Sequence, residues 1–457
     1  MLFSSIPFLY YFLPCVLVLY FAMPAKLKNF ILLIFSLLFY AWGEPRLVLL
    51  MLITITVGYV LGILTEEHSR YKKVYLTLAV LLSLGTLGYF KYADFFIANF
   101  NAVTGLSIPL LKVSLPIGIS FYTFQLLSYN IDVYRGEVAA QKNPLYLATY
   151  ISMFPQLIAG PIVRYQDVAT QLVDRKHSVD KAVVGIRRFV LGLSKKILLA
   201  NVLGELCEIF RQSQDKSVLF YWMYAIAFAL HIYFDFSGYS DMAIGLGKIF
   251  GFDFIENFNY PYISKSITEF WRRWHISLGN WFRDYVYIPL GGSRVNVGRR
   301  FFNIFVVWML TGFWHGAAWN FVLWGLFFAI LLVIEKVYLL KYLQNAKLWN
   351  HAYVIFFVVI SFVIFNATSL HQIISDISGL LGLGNIPVVS AEAIYYLKSY
   401  GIIFVLAVIG ATPFPKKTIE KIKVAKYLEP VLLVVLSIVV TAYLVDGSFN
   451  PFLYFRF

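Results

Sequence analysis

Charge is scarce in this chain. Of 457 residues, 14% are Asp, Glu, Lys or Arg while 60% are hydrophobic, and the mean hydropathy is +0.73. Soluble domains carry about 25% charged residues. Too few polar side chains remain here to cover the apolar ones in water, which excludes a water-soluble globule. Cysteine is almost missing: Cys15 and Cys207 lie far apart in apolar surroundings with no CxxC pair, so neither a disulfide framework nor a metal site is supported. No repeat of 20–50 residues, low-complexity tract or separate polar domain interrupts the chain, and residues 1–457 read as one integral domain. The first apolar stretch, Ile6 to Met23, has no basic region before it, which argues against a cleaved signal. Strict alternation is also missing from runs such as Val74 to Phe90, which argues against a β-barrel.

Long apolar segments are abundant and point to an all-α polytopic membrane protein. Candidate spans are Ile6–Met23, Phe30–Trp42, Leu47–Leu64, Val74–Phe90, Leu115–Tyr134, Leu145–Val163, Ser217–Phe236, Phe301–Phe313, Ala318–Leu339, Ala352–Ala367, Ile402–Ala411 and Val431–Val445. Several fall short of the ~20 residues that cross a bilayer. The segments around Pro155–Gly160–Pro161 and His315–Gly316 therefore read as broken or re-entrant helices. Val183 to Leu203 mixes paired basic residues with Leu, Ile and Phe, as an interfacial amphipathic helix would. The net charge of +14 fits basic cytoplasmic loops facing anionic lipid, so nucleic acid is not an expected partner. Lys26/Lys28, Arg70/Lys72/Lys73, Arg175/Lys176, Arg187/Arg188 and Lys195/Lys196 sort to the inside, whereas Asn366 to Ser399 has one Lys and no Arg. Both termini are then expected outside.

Polar groups inside such a chain are costly and mark candidate sites. His315 sits in Phe313-Trp314-His315-Gly316-Ala317-Ala318-Trp319, where small residues allow close approach and Trp314 and Trp319 give rigid walls. A histidine there can be a general base, or a packing histidine bonded to a carbonyl. His275 follows Arg272, Arg273 and Trp274 and precedes Arg283, as in an interfacial helix at a cavity mouth. Those arginines could hold donor phosphates or lipid headgroups. His231 and Asp235 are four apart and could meet on one helical face. With Ser237, Tyr239 and Asp241 they read best as a hydrogen-bonded network lining a tunnel, rather than a triad or metal site. Gln125, Ser128, Asn130, Asp132, Gln156 and Arg164 read as glue between helices or as cavity lining.

At these motifs the chain resembles the membrane-bound O-acyltransferase family, in the bacterial branch that O-acetylates alginate. The resemblance is carried by Leu115 to Gly136, Phe154 to Tyr165, Tyr233 to Gly245, Phe270 to Gly292, Leu310 to Gly325 and the tail Asn450 to Phe457. It implies a ring of helices around a thin core pierced by a tunnel. It also implies His315 as the essential histidine and His275 as the second recurrent one. Arg272, Arg273, Arg283, Trp314, Trp319, Asp235 and Tyr239 would line the site or bind the donor. Acetyl-CoA would be the donor substrate, with no bound cofactor. An extracytoplasmic SGNH-type acetyltransferase would take the acetyl group onward to a polysaccharide or peptidoglycan, and the chain would sit in a bacterial plasma membrane. The D-alanyl transferase of teichoic acid synthesis is the nearest rival within the family, but it lacks the YIPLGG run ending at Gly292. Outside enzymology, a transporter and a scaffold that recruits the secreted enzyme are the other readings.

Overall fold

A computed structural model describes residues 2–422 and 425–446. Among these residues every regular element is a helix. Eight helices are long and apolar enough to cross a membrane: Ala25–Gly43, Leu47–Glu67, Lys72–Thr104, Val218–Ile249, Trp319–Leu343, Trp349–Asn366, Ala391–Gly410 and Tyr427–Val445. The protein is a multi-pass membrane protein. The tail at 450–457 lies outside the described residues.

The chain forms two compact units, Met1–Phe189 with Tyr239–Ile255, and Val190–Gly238 with Glu256–Phe457. In the first, Leu47–Glu67 shows how a span with almost no polar side chains chooses its faces. Met51, Ile55, Gly58, Leu61, Gly62 and Thr65 turn inward at helical spacing, while Leu49, Ile53 and Val60 face outward. In lipid, helix association depends on close packing rather than on escape from water. Gly58 and Gly62 supply it: a Cβ at Gly58 would stand 2.6 Å from Leu126 Cδ2, and one at Gly62 2.9 Å from Tyr129 Cε1. Hydroxyls satisfy themselves within their own helix, as Thr54 and Thr65 do by donating to the carbonyls of Leu50 and Leu61 at 2.8 and 2.7 Å. The partner helix Ile119–Arg135 is buried almost throughout, including Gln125, Asn130 and Asp132. Gln125 reaches the Val163 carbonyl, whereas Asn130 bonds back to Leu126 of its own helix.

Several expected spans differ from the observed helices. Leu145–Val163 is not one helix but Pro144–Ser152 and the single turn Phe154–Leu157, followed by irregular backbone. The prolines and Gly160 break it, and the irregular stretch is buried in protein, where such backbone is tolerated. Ser217–Phe236 extends to the 32-residue helix Val218–Ile249, because the polar residues after Phe236 are buried with it. Ile402–Ala411 is the C-terminal half of Ala391–Gly410. The amphipathic helix exists as Val179–Ser194 but then enters a π-helical stretch, Lys195–Asn201, which turns Lys196 fully inward. The expectation that Lys196 stands among the basic residues of an interfacial helix is therefore corrected: it is fully buried.

Candidate active site: two histidines on one tryptophan

The second unit is built around the helix pair Val297–His315 and Trp319–Ile334. Gly312 and Gly325 let the two backbones touch. A Cβ at Gly312 would collide with the Phe321 carbonyl, and one at Gly325 with that of Trp308. A side chain at Gly316 would strike the Phe321 ring. These small residues bring Trp324 against the end of the first helix, where His315 is the last helical residue.

His315 keeps 5% of its surface exposed. Three rings stand roughly perpendicular to it: Trp314 at 5.1 Å, Trp324 at 5.1 Å and Phe365 at 5.2 Å between centroids. Trp314 also stands 5.7 Å from the ring of His275. The two histidines of two separate motifs thus share one indole as a common wall. Trp319 begins the next helix and is 51% exposed, so it is not an enclosing wall of this chamber.

His275 is held differently. It joins the short helices Ile267–Arg273 and Ile276–Phe282 and adopts φ 46°, ψ 53°, a left-handed conformation uncommon for a residue with a Cβ. Such backbone costs on the order of 1–3 kcal/mol and persists where surrounding contacts dictate it. The fully buried Asn257 supplies those contacts. Its Oδ1 accepts from the Ser277 amide at 3.2 Å and the Ser277 hydroxyl at 2.8 Å, and its carbonyl accepts from the Ile276 amide at 3.0 Å. A backbone N–H identifies that side-chain atom as the oxygen, so the 3.1 Å contact with His275 Nδ1 is a bond donated by the ring. Nε2 therefore carries the lone pair. Phe236 stands edge-on to the ring at 4.7 Å. Burial pushes the imidazole down to about 3, so it is neutral at physiological pH.

The helix before His275 is anchored at its other end. Ser266 caps it by accepting from the Glu269 amide at 3.0 Å. The fully buried Glu335, on the helix Trp319–Leu343, accepts from the Thr268 amide at 2.9 Å and the Thr268 hydroxyl at 2.7 Å, and from the Ile267 amide. Trp271 of this segment packs against Trp308 and Phe328, 4.7 and 4.8 Å away.

Most of the other expected site residues have partners of their own. Arg273 pairs with Glu269 at 2.9 Å, Arg283 pairs with Asp284 at 2.6 Å, and Arg272 is exposed. His231 Nδ1 contacts the Ala200 carbonyl at 2.7 Å, and Asp235 forms a wholly buried ion pair with Lys196. Tyr239 belongs to the first unit, where it stacks on Phe3 at 4.7 Å. The sequence reading missed Asn257 and Lys196. An amide 18 residues before its histidine leaves no spacing signal, and one lysine of an adjacent pair looks like the other.

The family model for the membrane-bound O-acyltransferase family matches residues 137–375, which contain both histidines, Asn257 and Glu335. The chain belongs to the membrane-bound O-acyltransferase family. Among similar proteins, the probable alginate O-acetylase of Pseudomonas aeruginosa is 43% identical over 81% of this chain and 73% of its own length. That of Pseudomonas putida is 37% identical over the full length of both. The peptidoglycan O-acetyltransferase of Helicobacter pylori is 32% identical over 87% of this chain and 83% of its own length. Family membership makes the chain an O-acyltransferase, and the paired histidines are its candidate machinery.

Proposed function

We propose that this protein takes the acetyl group of cytosolic acetyl-CoA and delivers it across a bacterial plasma membrane for O-acetylation of an extracytoplasmic polysaccharide. The Trp314 indole, which packs against the buried rings of both motif histidines, supports the reading. His315 is the general base. It takes the proton of the acceptor hydroxyl as that oxygen attacks the thioester carbon, and the proton then passes to the departing thiolate, giving ester and free thiol. His315 ends a helix, where the exposed carbonyl ends favour the positive charge that the base acquires. Neutral His275 presents Nε2 as an acceptor and orients a hydroxyl or the donor amide, its tautomer held by Asn257.

The names of the relatives support alginate or peptidoglycan as acceptor classes. An SGNH-type enzyme is the partner that completes delivery in this reading. The excess of Lys and Arg in alternate loops supports an outward N-terminus and C-terminus. The test uses the full chain in lipid nanodiscs with acetyl-CoA labelled in the acetyl group, with and without the partner. Thioester cleavage that depends on acceptor and is lost in His315→Ala is expected. Cleavage by the variant at the wild-type rate would refute the assignment. Transfer of D-alanine but not acetyl would move the donor to the teichoic acid branch.

A further inference from the structure

Three segments distant in sequence meet in the unit Met1–Phe189 with Tyr239–Ile255: residues 20–29, 172–181 and 250–253. They converge on the ring of Tyr20. Lys28 Nζ lies 5.0 Å from its centroid, Arg175 Cζ 5.9 Å and the His177 ring 5.7 Å. Phe21 and Phe252 widen this shelf, with Lys28 Nζ 5.3 Å from the first and Arg175 Cζ 4.5 Å from the second. Gly251, at φ +89°, brings bare backbone beneath it; a Cβ there would stand 3.2 Å from His177 Nε2 and 3.4 Å from Arg175 Cβ.

The hydrogen bonds orient the cations without neutralising them. The Tyr20 hydroxyl gives its hydrogen to the Phe250 carbonyl at 2.8 Å, so its 2.9 Å contact with His177 Nε2 is donated by the imidazole. Nδ1 of His177 is then the position that gains a proton when an anion arrives. Arg175 Nη1 donates to Asn29 Oδ1 at 2.6 Å, and Asn29 is itself fixed by donating to the Leu172 carbonyl at 2.7 Å. Arg175 Nε is buried and has no hydrogen-bond partner among the described residues. Three acids lie in these segments: Asp253 is taken up by Lys181 at 2.7 Å and Lys248 at 3.1 Å, while Asp174 and Asp180 are exposed. Burial and the facing charges of Lys28 and Arg175 push His177 below the usual imidazole range, as expected where cations gather. His177 is exposed, and Lys28 and Arg175 are half-buried, so a ligand can reach all three.

We propose that Lys28, Arg175 and His177, seated on the shelf of Tyr20, Phe21 and Phe252, form a phosphate-binding site. A guanidinium fork, a mobile ammonium and an imidazole Nδ1–H around one point suit a multiply charged tetrahedral anion. The aromatic faces hold the cations in place while leaving their charge available. Lys26 and Lys176 add to the same positive field. The phosphate belongs to a coenzyme or to a lipid headgroup. The proposal concerns binding and stands apart from the acyl-transfer assignment.

Two arms separate the sources, each with the full chain in nanodiscs. In neutral phosphatidylcholine, coenzyme A is titrated by equilibrium binding. In discs containing phosphatidylglycerol, retained anionic lipid is counted by native mass spectrometry. Lys28→Gln and Arg175→Gln should each weaken one of these by tenfold or more, while Lys26→Gln changes neither by more than about twofold. Loss in the first arm assigns the phosphate to a coenzyme, and loss in the second to a lipid. If Lys28→Gln and Arg175→Gln alter neither arm, or the wild-type chain binds neither probe, the proposal is overturned. Should Arg175→Gln fail to fold, Lys28→Gln and His177→Gln carry the same test from less buried positions.

Discussion

His275 and His315 lean on the same indole yet are held by opposite means. His275 sits in strained left-handed backbone with its Nδ1 proton assigned by Asn257, and its ring is kept neutral by burial. His315 sits in ordinary helical backbone at a helix C-terminus, inside an aromatic box. Hydrogen bonds to Asn257 orient the first, and three rings frame the second. The contrast teaches that a polar network sets which nitrogen carries a proton, whereas a wall of rings sets the position of the imidazole.

Substitutions can break this comparison in graded steps. The largest effect belongs to His315→Gln, which retains most of the volume but removes the base. The transfer rate should fall by about 10²–10⁴-fold with the melting temperature little changed, as read by single-turnover acetyl transfer beside thermal unfolding. Asn257→Ala should come next, because it strips the acceptor from the Ser277 amide and from His275 together. Removing one partner of a buried bond costs about 1–3 kcal/mol, so both unfolding temperature and rate should drop. A variant as stable as the parent would remove Asn257 from its anchoring role.

A smaller effect distinguishes the two backbones. At position 275 glycine should be more stable than alanine by about 1–2 kcal/mol, because only alanine pays for left-handed geometry. At position 315 the order should reverse, by up to about 1 kcal/mol, because helical glycine is less favourable than alanine. Comparing the four variants by thermal unfolding checks this, and the same order at both positions would contradict the assigned backbones. The mildest effect concerns pH. The folded-state value of His275 lies well below the ~6.5 of an unfolded histidine. The unfolded chain therefore binds the proton first, and the stability contributed by the neutral ring is lost progressively as pH falls below about 6.5. The melting temperature of wild type should decline more steeply between pH 6.5 and 5 than that of His275→Gln.

The helical membrane class and the two histidines were legible because both rest on local signals: long apolar runs, and ionisable residues stranded among tryptophans. The pairing of those histidines is not a local property, since it depends on the segment anchored by Asn257 returning the His275 ring to Trp314. Asn257 was illegible for a similar reason, being an uncharged residue whose role comes from where its loop returns. Lys196 and Ala200, which contact Asp235 and His231, lie on the π-helical Lys195–Asn201 stretch, whose inward turn no local pattern announces. The tunnel that the family resemblance implies has no local signal in the residues around His315. In this structure three rings surround that imidazole, and little of it is exposed.

Glu335 and Trp324 lie eleven positions apart on the helix Trp319–Leu343. The first grips the start of the segment that ends at His275, and the second braces His315. A single rod thus acts as the gauge bar of the chamber. Rotating or sliding it would shift both imidazoles at once, so the distance between them is governed by one rigid body rather than by two independently moving loops.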